Sequence, residues 1–485
     1  MQDYLIAIDV GTTSAKSFSI SPTGDVLASH QEFYPTSFSK NGFAEQDPER
    51  IYNAVVGLIK KSHISSARCV GVSFSAAMHS LMAVDDEGKV ILPLVIWSDT
   101  RSKFESRKII NAGLAQKFYE ISGTPVHPMS PMCKLIWLKE NQPDVFRRSY
   151  KFLSIKEYIF FKLTGKFVVD HSTASATGLF DLKTKKWSEE VLSYIGVDAR
   201  KLSTPVKVDS KFFLQGPLAS SLHLAPDPPL VVGASDGCLA QLGSRALGEE
   251  DVTLTLGTSG AVRVASHSQK NDPDGLVFNY LLNDQLFVCG GATNSGTVLL
   301  DWFKKSMDSN APDDIDEFVK QACEAPPGCH GLLCIPFLLG ERAPIYDPDA
   351  SGIFWGVKIH HGKIYFQRAL LEGICFELKW ILETVEKNFG VRNNIILSGG
   401  ITRSTAWVQL LCDILGRKIV TRQEVDASAM GAATLGFEAL KIKFESTPAN
   451  SIAYLPDHGS NQLHEKHFII FKEIYRRLKD LKLEN

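Results

Sequence analysis

The sequence predicts an α/β protein with two related domains, and three observations lead to that prediction. Short apolar runs that suit buried strands alternate with helical segments along the chain, which is the pattern of the α/β class. A strand followed by a turn of glycine, threonine and serine occurs twice, once near the start and once near the middle. The 485 residues also exceed what one hydrophobic core normally organises.

Composition and charge fit a globular protein and exclude several classes of partner. Hydrophobic residues make up 44% of the chain and charged residues 22%, and the formal net charge is -2. This balance offers no basic surface for nucleic acid or for an anionic membrane. We therefore expect a small-molecule substrate and neither a nucleic-acid nor a membrane partner, while the composition leaves a homodimer open.

The cysteine pattern and the first residues favour a cytoplasmic protein. The 9 cysteines include no Cys-x-x-Cys pair, so we expect free thiols rather than a disulfide framework or a zinc site. The 13 histidines show no metal-ligand spacing. The segment Met1–Asp9 lacks the basic residues of a secretory signal, and no apolar stretch is long enough to span a bilayer.

The first predicted strand is the apolar run Leu5–Ile8, which ends at Asp9 and opens into a glycine turn. Glycine lets backbone N–H groups approach a phosphate, hydroxyls add donors, and a carboxylate at the strand tip suits Mg²⁺. Taken alone, the motif favours a plainer interpretation, a β-hairpin turn followed by the surface residue Lys16. The residues of this turn are Gly11, Thr12, Thr13 and Ser14.

A second strand of this kind is predicted at residues 252–256, where valine and leucine alternate with threonine at the period of a half-buried strand. It ends at Gly257 and Thr258, the start of a turn that repeats the chemistry of the first. Two such turns, one per domain, could hold one polyphosphate from both sides. The sequence contains neither a Walker A pattern nor a G-x-G-x-x-G fingerprint, which disfavours the usual nucleotide loops.

A third motif, Gly233–Gly237, follows the apolar run Leu230–Val232 and contains Asp236. An aspartate placed on a sugar hydroxyl can accept its proton during phosphoryl transfer, and a general base is typically worth about 10²–10⁴-fold in rate. The alternative is a solvated aspartate, because turns of this kind favour that residue. A loop rich in proline and serine, Pro217–Pro229, precedes the run, and we place the domain boundary just after the motif, near residue 245.

The fourth motif is Ser398–Gly400, which follows the apolar run Ile395–Leu397 and precedes Ser404. Glycines here allow an adenine or ribose to rest against the backbone, or they form a tight turn into a helix. A helix is predicted next from a single apolar stripe that stops at Gly416. The stripe consists of Trp407, Leu410, Leu411, Ile414 and Leu415.

Polar side chains that suit a polyol follow two further apolar runs. Met78 and His79 follow the first, and Trp97, Asp99 and Arg101 follow the second. Tryptophan stacks on the C–H face of a sugar, while aspartate and arginine hydrogen-bond its hydroxyls. Taken singly, each is more often a packed histidine, a core tryptophan or a member of an ion pair.

Taken together and in this order, the motifs resemble the FGGY carbohydrate kinase family over nearly the whole chain. The segments that carry the resemblance are Gly42–Pro48, Ala77–His79, Trp97–Arg101, Pro131–Trp137 and Arg368–Gly373. Tyr365 and Phe366, just before the last segment, depart from the family signature. Each piece is weak alone, and the ordered set is specific.

The resemblance implies two actin-like (ribonuclease-H-like) domains with the active site in the cleft between them. Residues 1–245 would form the N-terminal sugar-binding domain and residues 246–485 the C-terminal ATP-binding domain. Asp236 matches the catalytic base and Asp9 the Mg²⁺-associated aspartate. The implied nucleotide contacts are Gly11, Thr12, Thr13, Ser14, Gly257, Thr258, Gly296, Asp301, Gly400 and Ser404. The implied sugar contacts are Met78, His79, Trp97, Arg101 and His127.

Within the family, further segments resemble the gluconate kinases. They are Ser75–Ser80, Gly123–Met129, Ile155–Tyr158, Asp170–Ser172, Ala174–Ala176 and Gly340–Pro344. This resemblance implies transfer of a phosphoryl group from ATP, with Mg²⁺, to the terminal hydroxyl of D-gluconate. Xylulose kinases share several of these segments and are the alternative, and a non-kinase actin-like ATPase is a third class.

Overall fold

The computed structural model describes residues 2–39, 41–215, 222, 227–422, 426–445 and 450–481. The chain forms two compact units. The first comprises Met1–Leu247, Ser266–Val288 and Glu424–Pro448, and the second Gly248–Ala265, Cys289–Gln423 and Ala449–Asn485. The predicted loop Pro217–Pro229 lies largely outside the described residues. The assignment of sugar to residues 1–245 and of ATP to residues 246–485 stays a prediction.

Strands form the sheets of both units. The strands up to residue 235 are β1 (Gln2–Val10), β2 (Ser14–Ile20), β3 (Val26–Phe33), β4 (Ser37–Phe38), β5 (Ala44–Gln46), β6 (Ala67–Ala76), β7 (Leu81–Val84), β8 (Val90–Val95), β9 (Lys151–Leu153), β10 (Val168–Asp170), β11 (Phe180–Asp181), β12 (Lys186–Trp187), β13 (Thr204–Val206), β14 (Lys211–Phe212) and β15 (Leu230–Ser235). The later strands are β16 (Asp251–Leu256), β17 (Gly260–Ser266), β18 (Phe278–Leu281), β19 (Phe287–Thr293), β20 (Leu333–Ile335), β21 (Ile353–Trp355), β22 (Asn394–Ser398), β23 (Ile419–Arg422) and β24 (Ser451–Tyr454).

Helices alternate with these strands, as the sequence predicts. They are α1 (Pro48–Lys61), α2 (Lys103–Asn111), α3 (Ala115–Ser122), α4 (Pro131–Asn141), α5 (Pro143–Arg148), α6 (Ile155–Thr164), α7 (His171–Ser175), α8 (Glu189–Ile195), α9 (Asp236–Gly243), α10 (Val298–Ser306), α11 (Ile315–Ala322), α12 (Lys363–Phe389), α13 (Thr405–Leu415), α14 (Ala427–Ala439) and α15 (His458–Leu478). None of the described helices is long and apolar enough to cross a membrane.

The main sheet of the first unit has the strand order β14-β15-β6-β1-β2-β3. β6 runs parallel to both β1 and β15, whereas β1 pairs antiparallel with β2. β1 is a continuous buried apolar run because α1 and α14 both pack against it. Asp9 is opposite Ser75 and Ser235 is opposite Ala76, so the carboxyl ends of three parallel strands meet at one sheet edge.

A smaller sheet of the same unit, in the order β4-β5-β8-β7-β9, lies next in sequence to most of the predicted sugar-side residues. Its strands and α4 share a second apolar core, to which Leu81, Leu92 and Leu135 contribute. β6 ends at Ala76 and β8 ends at Val95, so Met78, His79 and Trp97 all follow directly from strand ends.

In the second unit the strands run in the order β19-β17-β16-β22-β23-β24. β16 and β22 are parallel, with Thr255 opposite Ser398, so the two glycine turns that follow them leave the same sheet edge. The predicted helix is confirmed as α13, whose apolar stripe is buried and which ends at Gly416 with φ +65°. Thr253 is also buried, so β16 is covered more fully than its alternating pattern predicts.

Gly233, in the strand that leads to Asp236, is required by both its backbone angle and its surroundings. It has φ +73°, and a Cβ built there would lie 1.7 Å from the Phe74 carbonyl oxygen. Gly113 has a similar φ of +71°, but a Cβ there would meet no atom within 4 Å. Comparing a substitution at Gly233 with one at Gly113 therefore separates the energetic cost of a left-handed backbone from that of a clash with the Phe74 carbonyl oxygen.

We expect Gly233→Ala to destabilise the protein more than Gly113→Ala does. The left-handed backbone should cost each variant about 1–2 kcal/mol, and the clash should add roughly 1–3 kcal/mol at Gly233 only. Urea-induced unfolding of both variants measures the difference. Equal free energies of unfolding would show that β6 moves aside at no cost.

Candidate functional site

Asp9 lies at the end of β1 in a largely dry environment. Its side chain is 8% exposed, and its Oδ1 accepts a hydrogen bond of 2.6 Å from Ser75 Oγ. Burial raises the pKa of Asp9 to about 7, and the negative charges of Asp426 and Asp236 add to this effect. Ser75 and Lys16 act in the opposite direction. Three carboxylates therefore influence one another in this unit.

One cation partly balances these carboxylates. Lys16 is the β2 partner of Asp9, and its Nζ lies 2.8 Å from Asp426 Oδ2. Asp426 also begins α14, where it accepts a hydrogen bond of 3.1 Å from the Ala429 N–H. Three carboxylates set against one lysine leave a net negative charge, which suits a divalent cation.

The residues present fit Mg²⁺ in one respect and limit its binding in another. Asp9 is a buried carboxylate that is influenced by the negative charges of Asp426 and Asp236, and carboxylate oxygens are the ligands that Mg²⁺ prefers. However, no group of three His, Cys, Asp or Glu side chains in the described ranges is close enough to hold a metal ion. Mg²⁺ usually keeps several waters and binds substrate phosphates, so one or two of these carboxylates would suffice.

Asp236 is the first residue of α9 and is half-buried. Its Oδ1 accepts a hydrogen bond of 2.7 Å from the Gly237 N–H, so the carboxylate is oriented by the start of the helix. Ser428 Oγ donates to the Asp236 carbonyl oxygen at 3.3 Å. A general base must be directed at the hydroxyl it deprotonates, and the contact with the start of α9 gives this carboxylate a fixed direction.

The strand that leads to Asp236 is anchored from the side by buried polar groups. Lys156 Nζ donates to the Ala234 carbonyl oxygen at 2.8 Å and lies 2.6 Å from Asp170 Oδ2. The hydroxyls of Ser172 and Ser235 are 2.9 Å apart. Lys156 and Asp170 have side chains 3% and 0% exposed, so this ion pair is largely shielded from water. These contacts hold Ala234 and Ser235 in place, and thereby fix the position of Asp236, the next residue.

The turn after Asp9 is held rigidly by its surroundings. Tyr34 donates to the Gly11 carbonyl oxygen at 2.6 Å, and Gln46 Nε2 donates to the Thr12 carbonyl oxygen at 2.6 Å. Trp97 Nε1 donates to Thr12 Oγ1 at 2.9 Å, which leaves the threonine hydroxyl proton available for a ligand. Thr13 is exposed at the tip of the turn.

Ser14, the last residue of the turn, is buried, and its hydroxyl accepts a hydrogen bond of 2.8 Å from Gln31 Nε2. Its carbonyl oxygen accepts a bond of 3.0 Å from the Gly11 N–H, which closes the turn. Ser14 therefore shapes the turn, whereas Thr12 and Thr13 present hydroxyls.

A buried lysine links the two predicted sugar-side segments. Lys134 Nζ donates to the carbonyl oxygens of His79 at 2.6 Å and Ile96 at 2.8 Å, with Val95 at 3.4 Å. Lys134 is 1% exposed, so its ammonium serves the backbone rather than solvent. Because it joins the ends of β6 and β8, it holds His79 and Trp97 in fixed relation.

His79 has a defined tautomer and a backbone in the left-handed region, with φ +66°. Its Nδ1 lies 2.8 Å from the Ala176 carbonyl oxygen, which can only accept, so Nδ1 carries the proton. Its Nε2 is then an acceptor and lies 3.4 Å from the Tyr280 hydroxyl. Met78, beside it, is half-buried.

His127 has the opposite tautomer. The Met129 N–H donates to His127 Nδ1 at 3.2 Å, so Nδ1 is unprotonated and Nε2 carries the hydrogen of the neutral ring. The residue is 5% exposed. His127 Nε2 is thus a hydrogen-bond donor, whereas His79 Nε2 is an acceptor.

Arg101 lies in a structural ion-pair network. Its guanidinium lies 2.8 Å from Asp99 Oδ2 and 2.6 Å from Glu45 Oε1, and the side chain is 1% exposed. The rings of Phe43 and Trp137 flank it, with centroids 4.0 and 4.9 Å from its central carbon. The structure thus places Arg101 in the ion pair with Asp99 that the sequence raised as an alternative.

Three glycines of the second unit converge around the turn after β16. A Cβ built on Gly296 would lie 2.5 Å from the carbonyl oxygens of both Gly257 and Thr258. Gly399, at φ +93°, packs equally closely against the Leu256 carbonyl oxygen. A Cβ on Gly257 itself would meet no atom within 4 Å. The turn is therefore packed closely where Gly296 meets its carbonyl oxygens and has open space beside Gly257. This combination leaves room for a phosphate to approach the backbone.

The other predicted nucleotide contacts occupy the edges of this region. A Cβ on Gly400 would lie 3.6 Å from Thr297 Cγ2, which places this glycine beside the same turn. Asp301 is one turn into α10, where its 66% exposed side chain lies 3.8 Å from Lys304 Nζ. Ser404 is fully buried and accepts a hydrogen bond of 3.4 Å from the Trp407 N–H, so it caps α13. The roles of all three in binding stay predictions.

Sequence reasoning missed Asp426, Lys134 and Lys156 as members of the site. Asp426 could have been found as an acidic N-cap before the alanine-rich α14, because helix starts favour aspartate. Lys134 and Lys156 lie in motifs that the resemblance singled out, yet nothing in a sequence shows that a lysine is buried against carbonyl oxygens.

Comparison with known proteins identifies the chain's relatives. Residues 4–243 match the N-terminal domain, and residues 252–440 the C-terminal domain, of the FGGY family of carbohydrate kinases. A gluconokinase of Bacillus subtilis is 36% identical over 90% of this chain and 88% of the relative. A xylulose kinase of Staphylococcus xylosus is 30% identical over 97% of this chain and 99% of the relative. A crystal structure of gluconate kinase from Lactobacillus acidophilus has a TM-score of 0.92, 31% identity and 99% coverage of both chains.

We expect the stability of the Asp9→Asn variant relative to wild type to increase as the pH rises from 4 to 8. A raised native pKa of about 7, against an ordinary 3.8, means that the unfolded chain releases the proton first and that native stability falls over this range. The asparagine variant has no such proton. The shift corresponds to roughly 4 kcal/mol at most.

Chemical denaturation of both proteins at several pH values measures this effect. Asp86→Asn, at an exposed residue, controls for the loss of one negative charge. A difference between Asp9→Asn and wild type that does not change with pH would mean that the native pKa of Asp9 is not raised by burial and the neighbouring charges.

Proposed function

The chain belongs to the FGGY family of carbohydrate kinases, and we propose that it transfers the γ-phosphoryl group of ATP to the terminal hydroxyl of D-gluconate. The observation that carries the phosphoryl-transfer chemistry is Asp236, a carboxylate oriented by the start of α9 at the edge where Asp9 also ends its strand. Gluconate as the acceptor is supported by the greater identity to a gluconokinase, 36%, than to a xylulose kinase, 30%.

In the proposed mechanism Asp236 accepts the proton of the terminal hydroxyl as the reaction proceeds. The hydroxyl oxygen forms a bond to the γ-phosphorus, and the bond from that phosphorus to the bridging oxygen of ADP breaks. The gluconate product therefore carries a phosphate on carbon six, and the proton rests on Asp236 until it passes to water. The anchoring of Ala234 by Lys156 would keep the carboxylate in place throughout.

The divalent cation that ATP usually carries would be held by Asp9 and, directly or through water, by Asp426. Bound there, Mg²⁺ would neutralise charge on the transferring phosphates. Lys16 partly balances the negative charge of these carboxylates, since its Nζ lies 2.8 Å from Asp426 Oδ2. Within the first unit, the turn Gly11–Ser14 offers hydroxyls and backbone N–H groups next to these carboxylates. Within the second unit, the open backbone of Gly257 offers a contact for phosphate.

The carboxylate of gluconate requires a donor or a cation on the sugar side. Arg101 already pairs with Asp99 and Glu45, so its charge is largely used within the protein. His127 is a better candidate, because its Nε2 carries the ring hydrogen while its Nδ1 accepts from the backbone. His79 would accept a hydrogen bond from a sugar hydroxyl instead, since its Nδ1 proton is directed at a carbonyl oxygen.

Membership of the family excludes one alternative function and leaves another as a candidate. A non-kinase actin-like ATPase is set aside, because the match covers both kinase domains. Xylulose phosphorylation remains the second candidate, since a xylulose kinase is 30% identical over 97% of the chain. A cytoplasmic location, a homodimer and the use of Mg²⁺ stay predictions.

We expect Asp236→Asn to lower kcat by roughly two to four orders of magnitude while ATP affinity changes little, because asparagine keeps the shape but accepts no proton. Steady-state kinetics and calorimetric titration with ATP measure the two quantities. Near-normal turnover would remove Asp236 from the role of base. A collapse of ATP affinity would instead make it a nucleotide or metal ligand.

For substrate choice, we expect wild type to show a higher kcat/KM for D-gluconate than for D-xylulose. His127→Leu should lower the gluconate value by roughly 10- to 100-fold, because a charged acceptor loses its donor, and should affect neutral xylulose far less. Arg101→Leu should instead reduce stability by roughly 3–5 kcal/mol, since Asp99 would stay buried without its partner.

The comparison of the two variants separates a ligand contact from a structural one. A wild type that prefers xylulose refutes gluconate as the substrate. A selective loss of gluconate activity in Arg101→Leu, with His127→Leu unaffected, would move the carboxylate contact from the histidine to the arginine.

A further inference from the structure

Two glutamates are buried together in the second unit, where the proposed chemistry makes no use of them. Glu341 follows β20, and Glu377 lies in the middle of α12. Both side chains are fully buried, at 0% exposure. Two carboxylates that share a dry site cannot both be ionised without a large cost, so one of them must hold a proton.

Glu341 has the environment of the charged member. Its Oε1 accepts hydrogen bonds of 2.7 Å from the N–H groups of both Asn294 and Arg342. The Arg342 side chain, 8% exposed, adds a positive charge close by and donates to the Thr293 carbonyl oxygen at 2.7 Å. Burial raises the pKa of Glu341, but the backbone donors and the adjacent arginine oppose this rise, so Glu341 is the better placed of the two acids to carry the charge.

Glu377 has the environment of the neutral member. Its Oε1 accepts from Thr293 Oγ1 at 2.7 Å, but among the described residues no donor is directed at its buried Oε2. An oxygen in that position is satisfied if it carries a proton itself and donates it to Glu341. Burial and the adjacent charge of Glu341 raise the pKa of Glu377 well above its ordinary value. The geometry and the electrostatics thus agree.

The pair is connected directly to the turn proposed to hold phosphate. Thr293 Oγ1 lies 3.1 Å from Glu341 Oε2 and 2.7 Å from Glu377 Oε1, so one hydroxyl contacts both acids at the end of β19 and can donate its single proton to either. The chain continues through Gly296, which packs against the Gly257 and Thr258 carbonyl oxygens. The Thr297 N–H then donates to the Gly257 carbonyl oxygen at 2.7 Å.

We propose that Glu377 is held as a neutral carboxylic acid that donates a hydrogen bond to Glu341, and that this pair positions the segment 293–296 for nucleotide binding at Gly257 and Thr258. Glu377 is thus a positioning residue that never touches the substrate. The titratable or charged groups that act on the pair include Arg342 and the thiol of Cys334 in β20. The proposal rests on the proposed function, because it assumes that ATP binds at this turn.

Substitution at Glu377 tests the positioning role. Glutamine can still donate to Glu341, so Glu377→Gln should keep the KM for ATP within about twofold of wild type. Leucine cannot, so Glu377→Leu should raise the KM for ATP roughly tenfold while the KM for gluconate stays nearly constant, as for a buried acceptor left without its donor. Glu372, also buried in α12, pairs with Arg368 at 2.9 Å, and Glu372→Leu is the matched control.

The kinetic outcomes are decisive in either direction. A loss of ATP affinity in Glu377→Gln as large as that in Glu377→Leu would mean that the acid is ionised. An equal effect on both substrates in Glu377→Leu, or the same ATP-specific effect in Glu372→Leu, would show a general structural role only.

Thermal unfolding provides a test that needs no catalysis. A neutral Glu377 means that wild type loses stability as the pH rises, because only the unfolded chain releases the proton. We therefore expect the Tm of Glu377→Gln, relative to wild type, to increase between pH 5.5 and pH 8.5. A Tm difference independent of pH would overturn the neutral acid, even if Glu377→Leu fails to fold. A wild type that does not phosphorylate gluconate would reject the proposed substrate and leave this result standing.

Discussion

Parallel pairing of β6 with β1 and with β15 is the constraint on which the chemistry of the first unit depends. Parallel strands end at the same edge of a sheet, so residues far apart in the sequence are brought together there without any contact of their own. Asp9 and Ser75 are direct partners in the ladder, and Asp236 follows the strand on the other side of β6. Burial raises the pKa of Asp9, and the charge of Asp236, which this register brings to the same edge, adds to the effect.

Buried lysines donate hydrogen bonds to carbonyl oxygens near the ends of the same strands. Where a strand ends and a functional loop begins, carbonyl oxygens lose their ladder partners and must find donors elsewhere. Lys134 supplies three donors to the ends of β6 and β8, and Lys156 supplies one to the end of β15. An ammonium group suits this task because its donors point in three directions from a single atom. The loops can therefore be irregular and still be fixed.

The sequence was sufficient for the family, the α/β two-domain fold and the strands that lead to the main motifs. Short apolar runs ending in glycine predicted β1, β15, β16 and β22, because burial and turn chemistry are both local properties of a sequence. The sequence did not show which side chains from distant parts of the chain contact each other. The pairing of Lys16 with Asp426 spans most of the chain, and the sharing of Thr293 by Glu341 and Glu377 depends on three separate elements. Tautomers are equally hidden, since those of His79 and His127 are set by backbone atoms around them.

The enclosure of Arg101 by Asp99, Glu45 and two aromatic rings has a consequence for any redesign of this protein. A guanidinium that is 1% exposed and already paired with two carboxylates supports the fold around it, so replacing it would loosen the packing before it altered ligand preference. A change of ligand is therefore better sought at His79 and His127, whose donor and acceptor nitrogens are set by nearby backbone atoms.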